Sequence, residues 1–246
     1  VSGASRSEKK RKQAEREARL AAAGIQVPKR NPMPMIAAGV VLALVVLAAG
    51  GWYWYTNRTV TPNYTATAAG AVVTAGTGPV VIDVYEDYLC PGCLALEKRD
   101  GNKITEALND GRLTVRYHPL GLLDDRSRPA GYSTRAADAA ICAAQAGIFP
   151  AYHQKLFGEQ PAEGSAGLTD DQLVAFGTEL GAGPDFAACV RGGTHDAEIK
   201  KATDAAEADP GLKNEAGMFG TPTVAVDGKR IDINRSSWLD DLLAGR

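Results

Sequence analysis

The chain has 246 residues, 45% of them hydrophobic and 23% charged, a globular composition with room for one or two domains, which excludes a low-complexity chain. Its net charge of −2 conceals a division: residues 1–30 carry nine Lys or Arg and three Glu, and the rest holds 18 basic and 26 acidic side chains. A basic tail before an acidic body fits a membrane or a nucleic acid, and the apolar segment behind the tail selects the membrane.

Residues 1–34 read as a solvated basic tail that fixes topology, with a short amphipathic helix on the inner leaflet as the alternative. Met35 to Tyr55, MIAAGVVLALVVLAAGGWYWY, has no charge, and its length matches the about 20 helical residues that cross a bilayer. Trp52, Tyr53, Trp54 and Tyr55 fit the far interface, and Lys29 and Arg30 flank the near end, so the N-terminus is expected in the cytoplasm and the remainder outside. A cleaved signal peptide is the alternative, since Ala48-Ala49-Gly50 offers small residues. The bulky aromatics behind that site and the long basic region favour an uncleaved single-pass anchor in the cell membrane. Residues 56–78, rich in Thr, Ala and Gly, read as a flexible linker.

Pro79 to Tyr88 is predicted to be a buried strand, and Pro91 to about Leu108 a helix, with Pro91 at a first position where its missing N–H costs nothing. Gly101 is a place where that helix could bend. Asn109-Asp110-Gly111 marks a turn, and the alternation from Leu113 to Tyr117 a second strand. From Ser133 to Lys213, Ala-rich and Leu-rich segments predict four or five helices. Thr169 and Gln172 form a capping box for one, and Pro184 opens another that carries Cys189. Thr221 to Val226 and Lys229 to Ile233 are predicted as a hairpin through Asp227-Gly228, followed by a helix from Trp238 to Leu243 capped by Ser236 or Ser237. The class is α/β, in the order strand, helix, strand, helical block, hairpin, helix.

The chemistry-bearing motif is Cys90-Pro91-Gly92-Cys93. Residues 79–246 resemble the DsbA family on three features in order: a strand leading into this motif at a helix start, an inserted helical block, and Gly220-Thr221-Pro222-Thr223 before the last hairpin. Asp87-Tyr88 and Tyr117-His118-Pro119-Leu120 resemble the membrane-anchored versions of Gram-positive bacteria and actinobacteria. The resemblance implies a thioredoxin fold with an all-helical insertion at about 125–216. It also implies a cis bond at Thr221–Pro222, in a loop where the Thr221 backbone pairs with a substrate strand.

Thiol–disulfide exchange requires a thiolate, and Cys90 at a helix start faces unpaired N–H groups and the positive end of the dipole. Cys90 is the expected attacking sulfur and Cys93 the resolving one, with Pro91 and Gly92 tuning the redox poise. Gly92 stands where strongly oxidising members carry a histidine, so a weaker oxidant is expected. The fold's usual buried acid falls at Val84. Asp83, Glu86 and Asp87 are near but out of phase; one of them relays protons to Cys93, or all three are solvated strand-end acids.

Cys142 and Cys189 fall in predicted helices on the side of the membrane where disulfides persist. A bond would close about 48 residues, worth roughly 4 kcal/mol on the chain-entropy model; two free buried thiols are the alternative, and the resemblance supports the bond. No metal or other cofactor is expected: structural zinc wants four ligands in close pairs, and His118, His153 and His195 read as isolated surface or strand-end residues. The expected function is extracytoplasmic oxidation of reduced secreted proteins by a monomer, with no nucleic-acid partner. Family analogy supplies re-oxidation by a vitamin K epoxide reductase homologue or a DsbB-like membrane protein. The alternatives are a membrane-tethered reductase, as in cytochrome c maturation, and a non-catalytic thioredoxin-fold binding module.

Overall fold

A computed structural model describes residues 3–24, 33–57 and 59–245. The chain divides into two units, Val1–Arg58 and Thr59–Arg246.

In the first unit Gly3–Ala22 of the basic tail is a helix, α1, with i,i+4 ion pairs Lys12–Glu8 at 2.9 Å and Arg11–Glu15 at 3.5 Å, each worth a few tenths of a kcal/mol. A second helix, α2 (Met33–Asn57), contains the expected span. Its described side chains from Val41 to Tyr53 are exposed. Among the described residues no helix is long and apolar enough to cross a membrane. Lys29, Arg30 and Arg58 lie outside the described residues, as do the side chains of Met35, Trp54 and Tyr55.

The second unit begins earlier than its sequence suggests. Residues 56–78 are not a flexible linker throughout: Ala66–Ala69 is strand β1 and Val72–Gly76 is strand β2, a hairpin. Its Thr/Ala/Gly composition reads as a tether, yet Val73 and Ala75 alternate inward and are completely buried, as a half-buried strand requires. Then follow β3 (Val80–Glu86), α3 (Pro91–Asn109) and β4 (Leu113–Pro119). β3 pairs in parallel with β4, and β2 pairs antiparallel with β4's other edge, Val73 opposite Tyr117. Helix α3 runs unbroken through Gly101 and turns Cys93, Leu96, Ile104 and Leu108 inward, the three- and four-residue spacing of one helical face.

The insertion comprises α4 (Tyr132–Gln145), α5 (Phe149–Gly158), α6 (Asp170–Glu179), α7 (Pro184–Gly192) and α8 (Asp196–Ala208). The capping box is formed: the Thr169 hydroxyl accepts from Gln172 N at 3.2 Å, and the Gln172 carboxamide accepts from Thr169 N at 2.9 Å. Ala-rich α4 is the hub, buried along most of its length. The chain returns through β5 (Thr223–Val226), antiparallel to β3, and β6 (Lys229–Arg230). Asp227 and Gly228 turn between them with φ of 49° and 72°, as a two-residue hairpin demands. β6 is shorter than the predicted return strand; beyond Arg230 only Ile231 N still reaches Val224 O, at 2.9 Å. Helix α9 (Trp238–Leu243) starts after Ser237, whose hydroxyl donates to Asp241 instead of capping the helix. The buried Trp238 donates from its indole N–H to Asp100 on α3 at 2.8 Å.

The sheet order is β1-β2-β4-β3-β5-β6. β3 lies inside the sheet, so its C-terminal end delivers the Cys90 motif between the sheet and the insertion.

Candidate active site

Cys90 is the N-cap of α3, in extended conformation, with Pro91 in the first turn. Its own N–H donates to Asp87 O at 3.0 Å, and its carbonyl accepts from Cys93 N, Leu94 N and the Gln160 carboxamide at 3.1, 3.2 and 3.0 Å. The motif is therefore clamped before and behind. Both thiols are free, Cys90 being 7% exposed and Cys93 2%, while Pro91 and Gly92 stand on the surface.

The two sulfurs differ in acidity. The Cys90 thiol is drawn down to about 6, first by a hydrogen bond from the Cys93 thiol. Burial opposes this, and the Thr221 side chain and the N–H groups of Cys93 and Gly92 add to it. The Cys93 thiol is pushed up, by burial first and then by the Cys90 sulfur beside it. Such a split makes Cys90 both a thiolate at neutral pH and a good leaving group.

Thr221 and Pro222 sit against the motif. The Cys90 thiol donates to Thr221 O at 3.2 Å, and a Cβ at Gly92 would come within 3.0 Å of Pro222 Cδ and 3.5 Å of Cys90 Sγ. The Thr221–Pro222 peptide bond is cis, as is Arg128–Pro129, which the sequence did not signal. A groove of about 850 Å³ runs from this loop between Met218, Phe219 and Ile231.

The three acids are all buried, so solvated strand-end acids they are not. Asp83 is held by Arg116 at 2.6 Å and His118 at 2.8 Å, its neighbours across β4. Burial alone would lift its pKa; these two partners more than offset that and lower it. Asp87 touches the site twice. Its N–H lies 3.5 Å from Cys93 Sγ, and its carboxylate accepts from Leu89 N, the Ser133 hydroxyl and Leu123 N at 2.8, 2.8 and 2.9 Å. Burial carries Asp87 up to about 7 against those bonds. Glu86 meets His153 of α5 at 3.0 and 3.1 Å, and its charge adds to the upward push on Cys93. Burial would depress His153, but Glu86 raises it on balance.

His153 is thus neither at the surface nor at a strand end, but a buried partner reaching the site from the insertion; His195 is also buried. No spacing in the sequence links His153, Ser133 or Gln160 to Cys90, because each is carried there by the insertion's packing. Cys142 and Cys189 form a disulfide, with Cα atoms 6.0 Å apart. Among the described residues, metal-ligating side chains gather around that disulfide and not around Cys90.

The family model described as thioredoxin matches residues 69–242. The chain belongs to the thioredoxin family, and its fold is that of DsbA-type members. It is similar to the serine/threonine-protein kinase PknE of Mycobacterium tuberculosis, 32% identical over 181 residues that cover 71% of this chain and 31% of that one. The chain thus spans about a third of the length of the curated relatives it matches. Among solved structures it is similar to MdbA, a thiol-disulfide oxidoreductase from Corynebacterium diphtheriae (23% identity, TM-score 0.62, covering 77% of this chain and 98% of that one). It is likewise similar to the oxidised DsbA of Mycobacterium tuberculosis (25% identity, TM-score 0.60, covering 74% and 92%).

Proposed function

We propose that the chain is a membrane-anchored enzyme that gives its Cys90–Cys93 disulfide to reduced secreted or cell-envelope proteins. The observation that carries this reading is the unequal thiol pair, an acidic Cys90 against the Thr221 loop and a buried Cys93 whose thiol is pushed up. A substrate thiolate attacks Cys90 Sγ of the disulfide, and Cys93 leaves with the bonding pair and takes a proton. A second substrate thiolate then attacks the substrate sulfur of the mixed disulfide, and Cys90 departs as a thiolate. The substrate loses two electrons and the Cys90–Cys93 pair gains them. Because the leaving Cys90 is stabilised as a thiolate, release of the oxidised substrate is downhill.

The anchor reading rests on the charge-free stretch 35–55, on its helical conformation within α2, on the exposed apolar side chains Val41, Leu42, Leu44, Val45, Val46 and Leu47, and on the basic residues ahead of it. An exposed apolar stretch such as residues 41–53 favours a non-aqueous surrounding. The reading places the thioredoxin unit outside the cell and pairs it with a membrane re-oxidase, a vitamin K epoxide reductase homologue or a DsbB-like protein.

Oxidative refolding of a reduced, disulfide-containing substrate tests the proposal. Cys90→Ser is expected to abolish turnover, and Cys93→Ser, with Cys90 first joined to glutathione as a mixed disulfide, to exchange that glutathione for substrate and accumulate the substrate adduct on non-reducing gels. Wild-type turnover that survives in Cys90→Ser sinks the reading.

A further inference from the structure

The Cys142–Cys189 disulfide packs against the apolar core on one side and meets polar side chains on another. Asp138 and Cys142 are one helical turn apart on the same face of α4, Cys189 comes from α7, and His195 is the residue that opens α8. One ligand atom from each of the four lies within 4.8 Å of the others, and all but Cys189 are buried.

The other contacts orient these groups as ligands. Asp138 Oδ1 accepts the His195 backbone N–H at 2.8 Å, and Oδ2 lies 3.7 Å from Cys142 Sγ. The Gln145 carboxamide nitrogen, which can only donate, faces His195 Nε2 at 3.1 Å, so Nε2 carries its lone pair. His195 Nδ1 meets the Glu198 carboxylate at 3.3 Å. An imidazole with its proton on one nitrogen held by a carboxylate and its lone pair on the other is the usual arrangement of a metal-bound histidine. Gln145 also approaches Cys189 Sγ, at 3.7 Å from its oxygen, so its side chain lies across the mouth of the cluster. A pocket of about 240 Å³ between Gly183, Asp185 and Phe186 leads from the surface to both sulfurs and Gln145.

Two bonded sulfurs offer no thiolate. With the bond open, the cluster presents two thiolates, one imidazole and one carboxylate. That set suits a borderline-soft cation of the zinc class and disfavours calcium or magnesium. A tetrahedral zinc with Zn–S near about 2.3 Å holds two sulfurs roughly 3.8 Å apart. Rotation of the two side chains provides that separation across a Cα distance of 6.0 Å.

We propose that Asp138, Cys142, Cys189 and His195 bind one zinc-class divalent cation whenever the Cys142–Cys189 bond is reduced, so that disulfide and metal are alternative closures of one site. Opening the disulfide takes two electrons and two protons from the dithiol of an exchange partner, which becomes a disulfide. Cation binding then releases the two thiol protons. Re-oxidation by a partner disulfide returns the two electrons to that partner and expels the cation. A newly made chain, whose thiols begin reduced, enters at the metal-binding step.

The test uses the full-length chain in detergent with Cys90→Ser and Cys93→Ser, so that the catalytic sulfurs contribute nothing. Oxidised and anaerobically reduced, desalted samples are titrated with Co²⁺ and with Zn²⁺. Tetrahedral d–d bands and a thiolate-to-cobalt band are expected at one equivalent in the reduced sample and not in the oxidised one. Zn²⁺ is expected to raise the melting temperature of the reduced sample alone, a readout that serves even if the reduced apo insertion loses structure. Asp138→Asn and His195→Ala are each expected to weaken the reduced site at least about tenfold, the scale on which metal sites respond to lost supporting groups. Equal cation affinity in the two redox states, or full affinity in both variants, overturns the proposal.

Discussion

At the scale of single residues, the site is built from neighbours that bias one sulfur against the other. Cys90 has the helix start, the Cys93 thiol and Thr221 on its side; Cys93 has burial against it. The rate of Cys90 alkylation should therefore rise with a midpoint near pH 6 and level off above it. An unperturbed thiol titrates at about 8.5, and a midpoint there contradicts the assigned environment. Asp87 makes a second residue-level expectation. Its carboxyl binds a proton more tightly folded, at about 7, than unfolded, at about 3.9. The stability it contributes is thus fully present below pH 4 and is lost as pH rises through 7. Asp87→Asn keeps an oxygen to accept from Leu89 N and removes that charge, so denaturant midpoints measured from pH 5 to pH 8 should decline less than in the wild type. An unchanged slope means Asp87 ionises as freely folded as unfolded. The Cys90 motif was legible in the sequence because its chemistry is local, a helix start and two cysteines at a three-residue spacing, whereas Pro222 stood out only through the resemblance to the DsbA family. Asp87's three donors were not legible, since Ser133 and Leu123 lie on other elements and no periodicity connects them.

At the scale of elements, the chain order from β3 onward, the capping box and the hairpin turn followed from patterns of two, three and four residues. The β1–β2 hairpin did not, because Thr, Ala and Gly carry little strand signal by themselves; what makes them strand is β4's free edge, visible only once Val73 faces Tyr117. The insertion was legible as helices but not as a packing arrangement. Its disulfide joins α4 to α7 across a separation of 47 residues. On loop-closure grounds, replacing both cysteines with serine costs about 4 kcal/mol, or a fall in melting temperature of about 8–16 °C for a unit of this size. Calorimetry of the double variant against the wild type measures it. A fall under about 2 °C means the helices around α4 hold without the link.

At the scale of the whole molecule, the proposed function divides the labour of place and chemistry between an exposed apolar helix and a thioredoxin unit. The anchoring proposed above would keep the exchange site near chains that emerge from the membrane, and near the re-oxidase proposed within it. In that setting the direction of electron flow is a property of the Cys90–Cys93 pair. A stabilised Cys90 thiolate favours the reduced pair and makes its disulfide an oxidant. Gly92 leaves the thiolate without one donor that a histidine would bring, so the proposed oxidant is expected to be weaker than the strongest of its kind. The most direct measurement is the reduction potential of Cys90–Cys93 in the full-length chain, equilibrated with glutathione buffers. A value above about −180 mV, between protein disulfide isomerase and the strongest oxidants, is the expected result and makes the disulfide a donor to secreted proteins. A value near about −250 mV, close to thioredoxin, contradicts the account and makes the dithiol the working form.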